Sequence, residues 1–249
     1  MPSISGERTL SVVLSPAEPL PEADAWLVMD LLRATTTMVT FFSLGGERLY
    51  SVETLEEARE LRKKLGEKAL LLGERHGLPP EGFDLGNSPR DLTEEICRSH
   101  PLAIMTTTNG TKAVLKASSS GKPVFAASIR NASAAIRACT PFSRVGILCA
   151  GTYGKTALDD TLGAGYLADI FLRTFPGITL RDGAAIALWT WQRQAPEIER
   201  AVRLSDHART LESLGFAEDL FFCCTPDSSR EVPRWRHQQQ HSYFERNLE

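Results

Sequence analysis

The sequence has no excess of charge of either sign. Its 249 residues include 28 Lys and Arg and 31 Asp and Glu, which gives a formal net charge of −3 at pH 7. Binding to a nucleic-acid backbone depends on concentrated positive charge, so this balance disfavours nucleic acid as a partner. A small anionic substrate would have to be held by local donors, because the protein as a whole does not attract it.

Long hydrophobic runs are also missing. No segment approaches the roughly 20 apolar residues that cross a bilayer, and the first residues lack the basic region and apolar run of a secretion signal. Hydrophobic residues make up 42% and charged residues 24% of the chain, which is typical of a globular enzyme. We therefore expect a cytoplasmic protein with no membrane partner.

Cysteine is scarce, and its spacing is not that of a metal site. The cysteines are Cys97, Cys139, Cys149, Cys223 and Cys224. They are odd in number and lack CxxC pairs, which disfavours a disulfide framework or a zinc site and favours a reducing compartment. Cys149, near a predicted strand end, is interpreted as a small core residue and not as a nucleophile.

Several familiar catalytic motifs are absent. There is no G-x-S-x-G elbow, no recognisable Ser-His-Asp arrangement and no lysine of a Walker P-loop. His76 is interpreted as a loop histidine, and His207 as a packing or surface residue. Serine-hydrolase and ATP-type P-loop chemistry are therefore disfavoured.

Strand-like and helix-like segments alternate through the first two thirds of the chain. Strands are predicted at residues 10–14, 25–30, 48–52, 69–72, 102–105, 124–127 and 145–149. This order predicts an α/β protein with a largely parallel or mixed sheet, in which ligands gather beyond the carboxyl ends of the strands. Those ends carry Asp30, Glu74, residues 106–108, Ser128 and residues 151–152.

The last third of the chain differs in pattern. Helices are predicted at 184–191, 198–204 and 205–214. A short strand is predicted at 219–225, and the polar, Gln- and His-rich segment 234–249 is predicted to be a loosely ordered tail. Residues 1–233 then form one domain, long enough for two lobes. The aromatic helix around Trp189 is a candidate homodimer surface.

Residues 25–37 form the most informative stretch. An apolar run ends at Asp30, and Arg33 and a threonine-rich helix start follow it. Helix N-terminal N–H groups and a guanidinium bind anions, whereas Asp30 repels an anion unless a cation lies between them. Mg²⁺ with a phosphorylated ligand is the simplest occupant. An ordinary N-cap with a threonine-rich first turn is the alternative.

A second polar turn, residues 106–111, precedes another predicted helix. Asn109 and Gly110 permit a tight nest of N–H groups, and the neighbouring hydroxyls add donors. This pattern favours phosphate. The turn at 73–77 is either a ligand-binding or a solvated loop, and residues 159–160 either stabilise a helix dipole or supply a further metal-binding carboxylate.

Taken together, these motifs resemble the 2-phosphosulfolactate phosphatases, or ComB-like proteins. The resemblance rests on VMDLLRATTT (28–37), GER (73–75), GFDLGNSP (82–89), TTTNGT (106–111), AGT (150–152) and LDDTLGAG (158–165). It implies a three-layer α/β/α fold. It also implies a Mg²⁺-dependent phosphatase that converts 2-phospho-3-sulfolactate to 3-sulfolactate, a step toward coenzyme M. Asp159 departs from the family pattern, which usually has Glu there, and His76 stands where Gly is common.

The hypothesis for the site is metal-assisted hydrolysis of a phosphomonoester. Asp30, with Glu74 or Asp160, would hold Mg²⁺, which polarises a phosphoryl oxygen and positions a water. The predicted catalytic residues are Asp30, Arg33, Glu74 and Asp160. The predicted substrate-binding residues are Thr35, Thr36, Thr37, Arg75, Thr107, Thr108, Asn109, Gly110, Thr111 and Asn131.

Three alternatives are open at the level of sequence. Phosphorus is attacked either by water or by Asp30 through a phosphoenzyme. The substrate is either 2-phospho-3-sulfolactate or another small phosphorylated hydroxy acid. Finally, a non-catalytic protein that binds a small anion in the same pocket would show the same motifs.

Overall fold

A mixed sheet of ten strands runs through the part of the chain that the computed structural model describes, residues 7–238 and 241–247. The strands are β1 (Thr9–Val13), β2 (Ala25–Met29), β3 (Arg48–Ser51), β4 (Ala69–Gly73), β5 (Leu102–Thr106), β6 (Val124–Ala127), β7 (Arg144–Cys149), β8 (Thr179–Leu180), β9 (Pro233–Arg236) and β10 (Tyr243–Arg246). Their order is β4-β5-β3-β10-β9-β6-β2-β7-β1-β8. All the strands predicted in the first two thirds are confirmed, with ends displaced by one residue at most.

Helices cover both faces of this sheet. They are α1 (Ala34–Ser43), α2 (Leu55–Leu65), α3 (Glu94–Ser99), α4 (Gly110–Ser118), α5 (Ala132–Ala138), α6 (Leu158–Thr174), α7 (Asp182–Gln194), α8 (Ile198–Val202), α9 (Asp206–Ser213) and α10 (Ala217–Cys223). Along β2, Leu27 and Met29 join the core with α6 and α7, whereas Trp26 and Val28 join the core with α1 and α4. The predicted three-layer α/β/α architecture is confirmed.

The β9–β10 hairpin joins two parallel halves of the sheet. Strand β9 pairs antiparallel with β6, and β10 pairs antiparallel with β3, so β3, β4 and β5 run opposite to β2 and β7 along the ladder. The carboxyl ends therefore do not share one parallel edge. The loops after β2, β5 and β7 still meet. Helices α1 and α4 pack in one core with strands of both halves, and the progressive twist of a sheet changes the direction of its strands from one half to the other.

The prediction of a loosely ordered C-terminal tail is wrong for the described residues. Strands β9 and β10 lie in the middle of the sheet, and Trp235 packs edge-on against Phe244 at 5.0 Å between ring centroids. Arg236 forms an ion pair with Glu245 beside them. Alternation of buried aromatic and charged residues is a strand pattern that the overall polarity of the segment obscured. Residues 239–240 and 248–249 of the predicted tail lie outside the described residues.

The predicted strand at 219–225 is also wrong, because these residues belong largely to helix α10. Leu220 and Cys223 are buried, as their spacing of three requires on one helix face, while Phe221 is exposed. Short apolar runs do not distinguish strand from helix by periodicity. This correction matters for the site because Asp219 is buried in the first turn of α10.

Helix α7 carries the predicted dimer surface. Trp191 is buried, whereas Trp189 is 65% exposed and Ile186, one turn before it, is 49% exposed. A homodimer through this face stays a prediction. Across the described ranges, no helix is both long enough and apolar enough to pass through a membrane.

Candidate active site

Asp30 ends β2 and is the best-defined reactive group of the site. The residue is 6% exposed, and Oδ1 accepts the Ala34 N–H at 3.0 Å. The Thr35 hydroxyl accepts the Asp30 N–H and donates to the Asp30 carbonyl, each at 2.9 Å. Within the described residues, no hydrogen bond to Oδ2 is found. The turn therefore fixes Asp30 and leaves Oδ2 available.

The electrostatics around Asp30 disfavour its charge. Burial is the main cause and raises the pKa of the Asp30 carboxyl to about 7, with a further increase from the charges of Asp159 and Glu74. The Ala34 N–H and the Arg33 charge act in the opposite direction. A carboxyl with a pKa near 7 can exchange a proton at neutral pH, and its ionised form attracts a cation.

The N-terminus of α4 lies against Asp30. A Cβ atom on Gly110 would come within 2.6 Å of Asp30 Oδ2 and 2.5 Å of Ala34 Cβ, so only glycine allows this approach. Within the described part of the chain, the Asn109 and Gly110 N–H groups have no hydrogen-bond acceptor. Free N–H groups at a helix start bind phosphate oxygens, and here they lie beside the free carboxylate oxygen.

Gly110→Ala tests this close approach. The added methyl group collides with Asp30 and Ala34, and we expect activity to fall about 100-fold through misplacement of the site. Overpacking should lower the free energy of unfolding by about 1–3 kcal/mol. Gly86→Ala is the control, because its Cβ would meet Pro79 only at 3.6 Å. Equal activity of the two variants would show that the α4 approach is unimportant.

Asp160 positions the turn and is not open to a ligand in the same way. Its Oδ1 accepts the Leu31 N–H and its Oδ2 accepts the Gly151 N–H, both at 2.8 Å. Burial, followed by the charges of Asp159 and Asp30, raises the pKa of Asp160 well above its usual value. Asp160 thus ties the β2–α1 turn to the loop after β7.

Glu74 makes the corresponding tie between the loops after β4 and β5. It accepts the Thr108 N–H at 2.7 Å and the Gly77 N–H at 3.0 Å. Arg75, predicted to bind substrate, donates instead to the carbonyls of Glu53, Glu74 and Thr106 and to the Thr106 hydroxyl. The structure therefore gives Arg75 a role in holding strand ends together.

Arg33 is buried in an ion pair that the sequence did not indicate. Its guanidinium donates to Asp219 at 2.7 Å and to the Gly77 carbonyl at 2.9 Å, and it stacks on the Phe216 ring at 4.4 Å. Asp219 also accepts the Ser88 hydroxyl at 2.8 Å. The predicted free anion-binding arginine is thus a paired one, whose charge still acts on Asp30.

Most predicted substrate-binding hydroxyls are used within the fold. The Thr36 hydroxyl donates to the Leu31 carbonyl, and the Thr37 hydroxyl to the carbonyls of Arg33 and Asn87. Thr107 and Thr111 each accept the other's N–H through the hydroxyl, at 3.0 and 2.9 Å. By bonding to backbone groups, these hydroxyls fix the conformation of the two threonine-rich turns. Their role is therefore to position the main chain.

Asn131 does not reach the site. It is fully buried, accepts the Ser128 N–H at 2.8 Å, and donates to the carbonyls of Ala126 and Glu231. Its amide is therefore fully occupied by backbone groups. The motif that suggested a ligand-binding asparagine is a helix cap in this protein.

The mouth of the site is formed by three loops. The Tyr153 N–H donates to Asn109 Oδ1 at 2.9 Å, and the Tyr153 hydroxyl lies 3.2 Å from His76 Nδ1. The loops after β4, β5 and β7 thereby contact one another. Tyr153, 63% exposed, was not indicated by the sequence, because only the fold brings it to the mouth.

The charge of Glu74 acts on Asp30 and the charge of Asp30 on Asp160, and a metal ion held by Asp30 with Glu74 or Asp160 stays a prediction. In the described ranges, no three His, Cys, Asp or Glu side chains are arranged to hold a metal ion. The oxygens of Glu74 and Asp160 accept backbone N–H groups. Mg²⁺ often takes only one or two carboxylates, with waters and a substrate phosphate. The Asp30 carboxylate fits that smaller role.

Comparison with known proteins gives consistent matches along most of the chain. A family model described as 2-phosphosulpholactate phosphatase matches residues 13–238. A Thermus thermophilus protein named "Probable 2-phosphosulfolactate phosphatase" is 40% identical over 227 residues, covering 90% of this chain and 93% of its own. Proteins of the same name from Clostridium acetobutylicum (35% identical; 84% and 88% covered) and Thermotoga maritima (37%; 90% and 94%) are also similar.

Proposed function

This chain belongs to the 2-phosphosulpholactate phosphatase family, and from that membership and the surroundings of Asp30 we propose that it hydrolyses 2-phospho-3-sulfolactate to 3-sulfolactate and phosphate. The observation that carries the proposal is the free Asp30 Oδ2 beside the unpaired N–H groups at the start of α4. Such an arrangement offers one nucleophilic or basic oxygen and several donors for phosphoryl oxygens. The reaction is of the coenzyme M biosynthesis type.

The residues of the chain have distinct roles in this proposal. The Asn109 and Gly110 N–H groups bind phosphoryl oxygens, and the positive end of α4 favours their charge. Asp30 Oδ2 faces the phosphorus atom. Asp160 and Glu74 are positioning residues, because they hold the loops through backbone N–H groups. Arg33 supplies a fixed positive charge from beneath the turn.

We further propose that Mg²⁺ is the cofactor and that the Asp30 carboxylate holds it. When bound, the ion would polarise a phosphoryl oxygen and neutralise part of the substrate charge. Asp30 Oδ2 then has one of two roles: attacking phosphorus itself, or orienting a water for attack. Direct attack by Asp30 would be supported by a phosphoenzyme that acid quenching traps in wild type and not in Asp30→Asn.

A phosphate-release assay tests the proposal. The panel comprises 2-phospho-3-sulfolactate, 2-phospholactate and phosphoglycolate, each with EDTA and with increasing Mg²⁺. We expect turnover of 2-phospho-3-sulfolactate that EDTA abolishes and Mg²⁺ restores. Preference for another phosphorylated hydroxy acid would correct the substrate. Tight binding without turnover would contradict the enzymatic function, and activity in EDTA would contradict the cofactor.

A further inference from the structure

A cavity of about 390 Å³ lies between the loop after β7 and the segment that leads into α9. One wall is the loop after β7 with the first turn of α6, and the other is the segment that leads into α9. Tyr153 lines the cavity and is bound to Asn109 of the phosphate-binding turn. Tyr153 therefore connects this cavity to the turn whose N–H groups are proposed to bind the phosphoryl group.

Asp159 and His207 meet at this cavity. Asp159 is 1% exposed, and its Oδ1 is buried without a hydrogen-bond partner among the described residues. Its Oδ2 lies 3.8 Å from His207 Nδ1. The next residue, Asp160, turns the opposite way into the Asp30 turn. The two adjacent carboxylates of α6 thus have different surroundings. Asp160 bonds to the turn after β2, whereas Asp159 lines the cavity.

We propose that His207, which lies beside Asp159, donates a proton to the oxygen that leaves phosphorus. The inference rests on the proposed function. As the bond from phosphorus to the ester oxygen breaks, its electron pair stays on that oxygen. The oxygen takes a proton from Nε2 of the His207 imidazolium and leaves as the 2-hydroxyl of the product. Water supplies the new oxygen on phosphorus and, afterwards, the proton that restores His207.

The chemistry of the substrate creates the need for this proton. A secondary alcohol is a poor leaving group unless it is protonated as it departs, and a positioned histidine is a common donor. The buried Asp159 carboxylate lies 3.8 Å from the Nδ1 atom of His207, and Nε2 is the other ring nitrogen. The other charged groups at the cavity are Lys155 and Asp206. Asp159 acts only through His207 and is a positioning residue.

A comparison of leaving groups tests the proposal. Wild type, His207→Gln and Asp159→Asn are assayed with 2-phospho-3-sulfolactate, and with acetyl phosphate and p-nitrophenyl phosphate, whose leaving groups need no proton. We expect His207→Gln to lose about 100-fold or more in kcat on the alkyl ester and less than about 3-fold on the activated esters. Asp159→Asn should show a smaller loss of the same selectivity. His100→Gln, at the end of α3, is the control.

The outcomes separate the two proposals. Wild type that hydrolyses the esters, together with equal losses on alkyl and activated esters in His207→Gln, overturns the role of His207 and leaves the proposed function standing. Unchanged activity of His207→Gln on the alkyl ester does the same. Wild type with no turnover of any phosphomonoester overturns the proposed function, and the inference with it.

Discussion

Replacement of Asp30 by Asn is expected to lower phosphate release by at least about 1,000-fold. The amide keeps an oxygen for the Ala34 N–H but puts a neutral NH₂ group where Oδ2 lies. That group cannot attack phosphorus, accept a proton or bind Mg²⁺. Initial rates on 2-phospho-3-sulfolactate at saturating Mg²⁺ give the measurement.

The same variant should gain stability, and the sign follows from the raised pKa. Burial raises the pKa of the Asp30 carboxyl from 3.8 to about 7, so the folded protein holds a proton that the unfolded chain has released. The buried Asp30 charge lowers the free energy of unfolding of wild type. This cost is absent below pH 4, grows between pH 4 and 7, and is complete above pH 7. At about 1.4 kcal/mol per pKa unit it amounts to about 4 kcal/mol.

Thermal unfolding in EDTA therefore has a defined pH dependence. Asp30→Asn should melt several degrees above wild type at pH 8 and close to wild type at pH 4. Asp206→Asn is the matched control, because the Asp206 side chain is 94% exposed and should shift neither value. A melting temperature below that of wild type at pH 8 would contradict the destabilising effect of the buried Asp30 charge.

Replacement of Asp219 by Ala is expected to be the most destabilising single change near the site. It leaves the Arg33 charge buried without its carboxylate, since both side chains are 1% exposed in the pair. Removing one partner of such a pair costs about 3–5 kcal/mol, which at this chain length lowers Tm by roughly 10 °C. The Ser88 hydroxyl also loses its acceptor.

A double replacement separates packing from charge. Arg33→Met with Asp219→Leu removes both charges and should recover most of the free energy of unfolding, because apolar groups of similar volume can replace a buried pair. Its activity should remain low if the Arg33 charge assists the site. Asp206→Ala, which breaks the exposed pair with Arg209, is the control and should change stability by less than about 0.5 kcal/mol. Little destabilisation by Asp219→Ala would contradict the importance of the pair.

Local sequence signals predicted the elements whose pattern is strong. Strand β2 is an unbroken apolar run, and a Thr54–Glu57 capping box begins α2. Strands β9 and β10 were missed because they are short and rich in charge. Their stability comes from pairing with β6 and β3, which are distant in sequence, so tertiary context decides their structure.

For the site, too, the sequence indicated the groups that have a local signal and not their distant partners. Asp30 and Gly110 were identified because a strand end and a glycine at a helix start have a local meaning. The partners of the predicted groups were not identified, since Asp219 is 186 residues from Arg33. Threonine hydroxyls were assigned to substrate, although backbone groups within five residues use several of them. Spacing shows which side chains can bond, and only the fold shows which bonds form.

The most direct test is the position of the substrate in a crystal structure of Asp30→Asn with 2-phospho-3-sulfolactate and Mg²⁺. The expected result places the phosphoryl group at the N–H groups of Asn109 and Gly110, within contact distance of the residue-30 side chain. The carbon chain should then extend toward His207. A phosphoryl group bound away from residue 30, for example in the cavity between α2 and Trp235, would contradict the assignment of the active site.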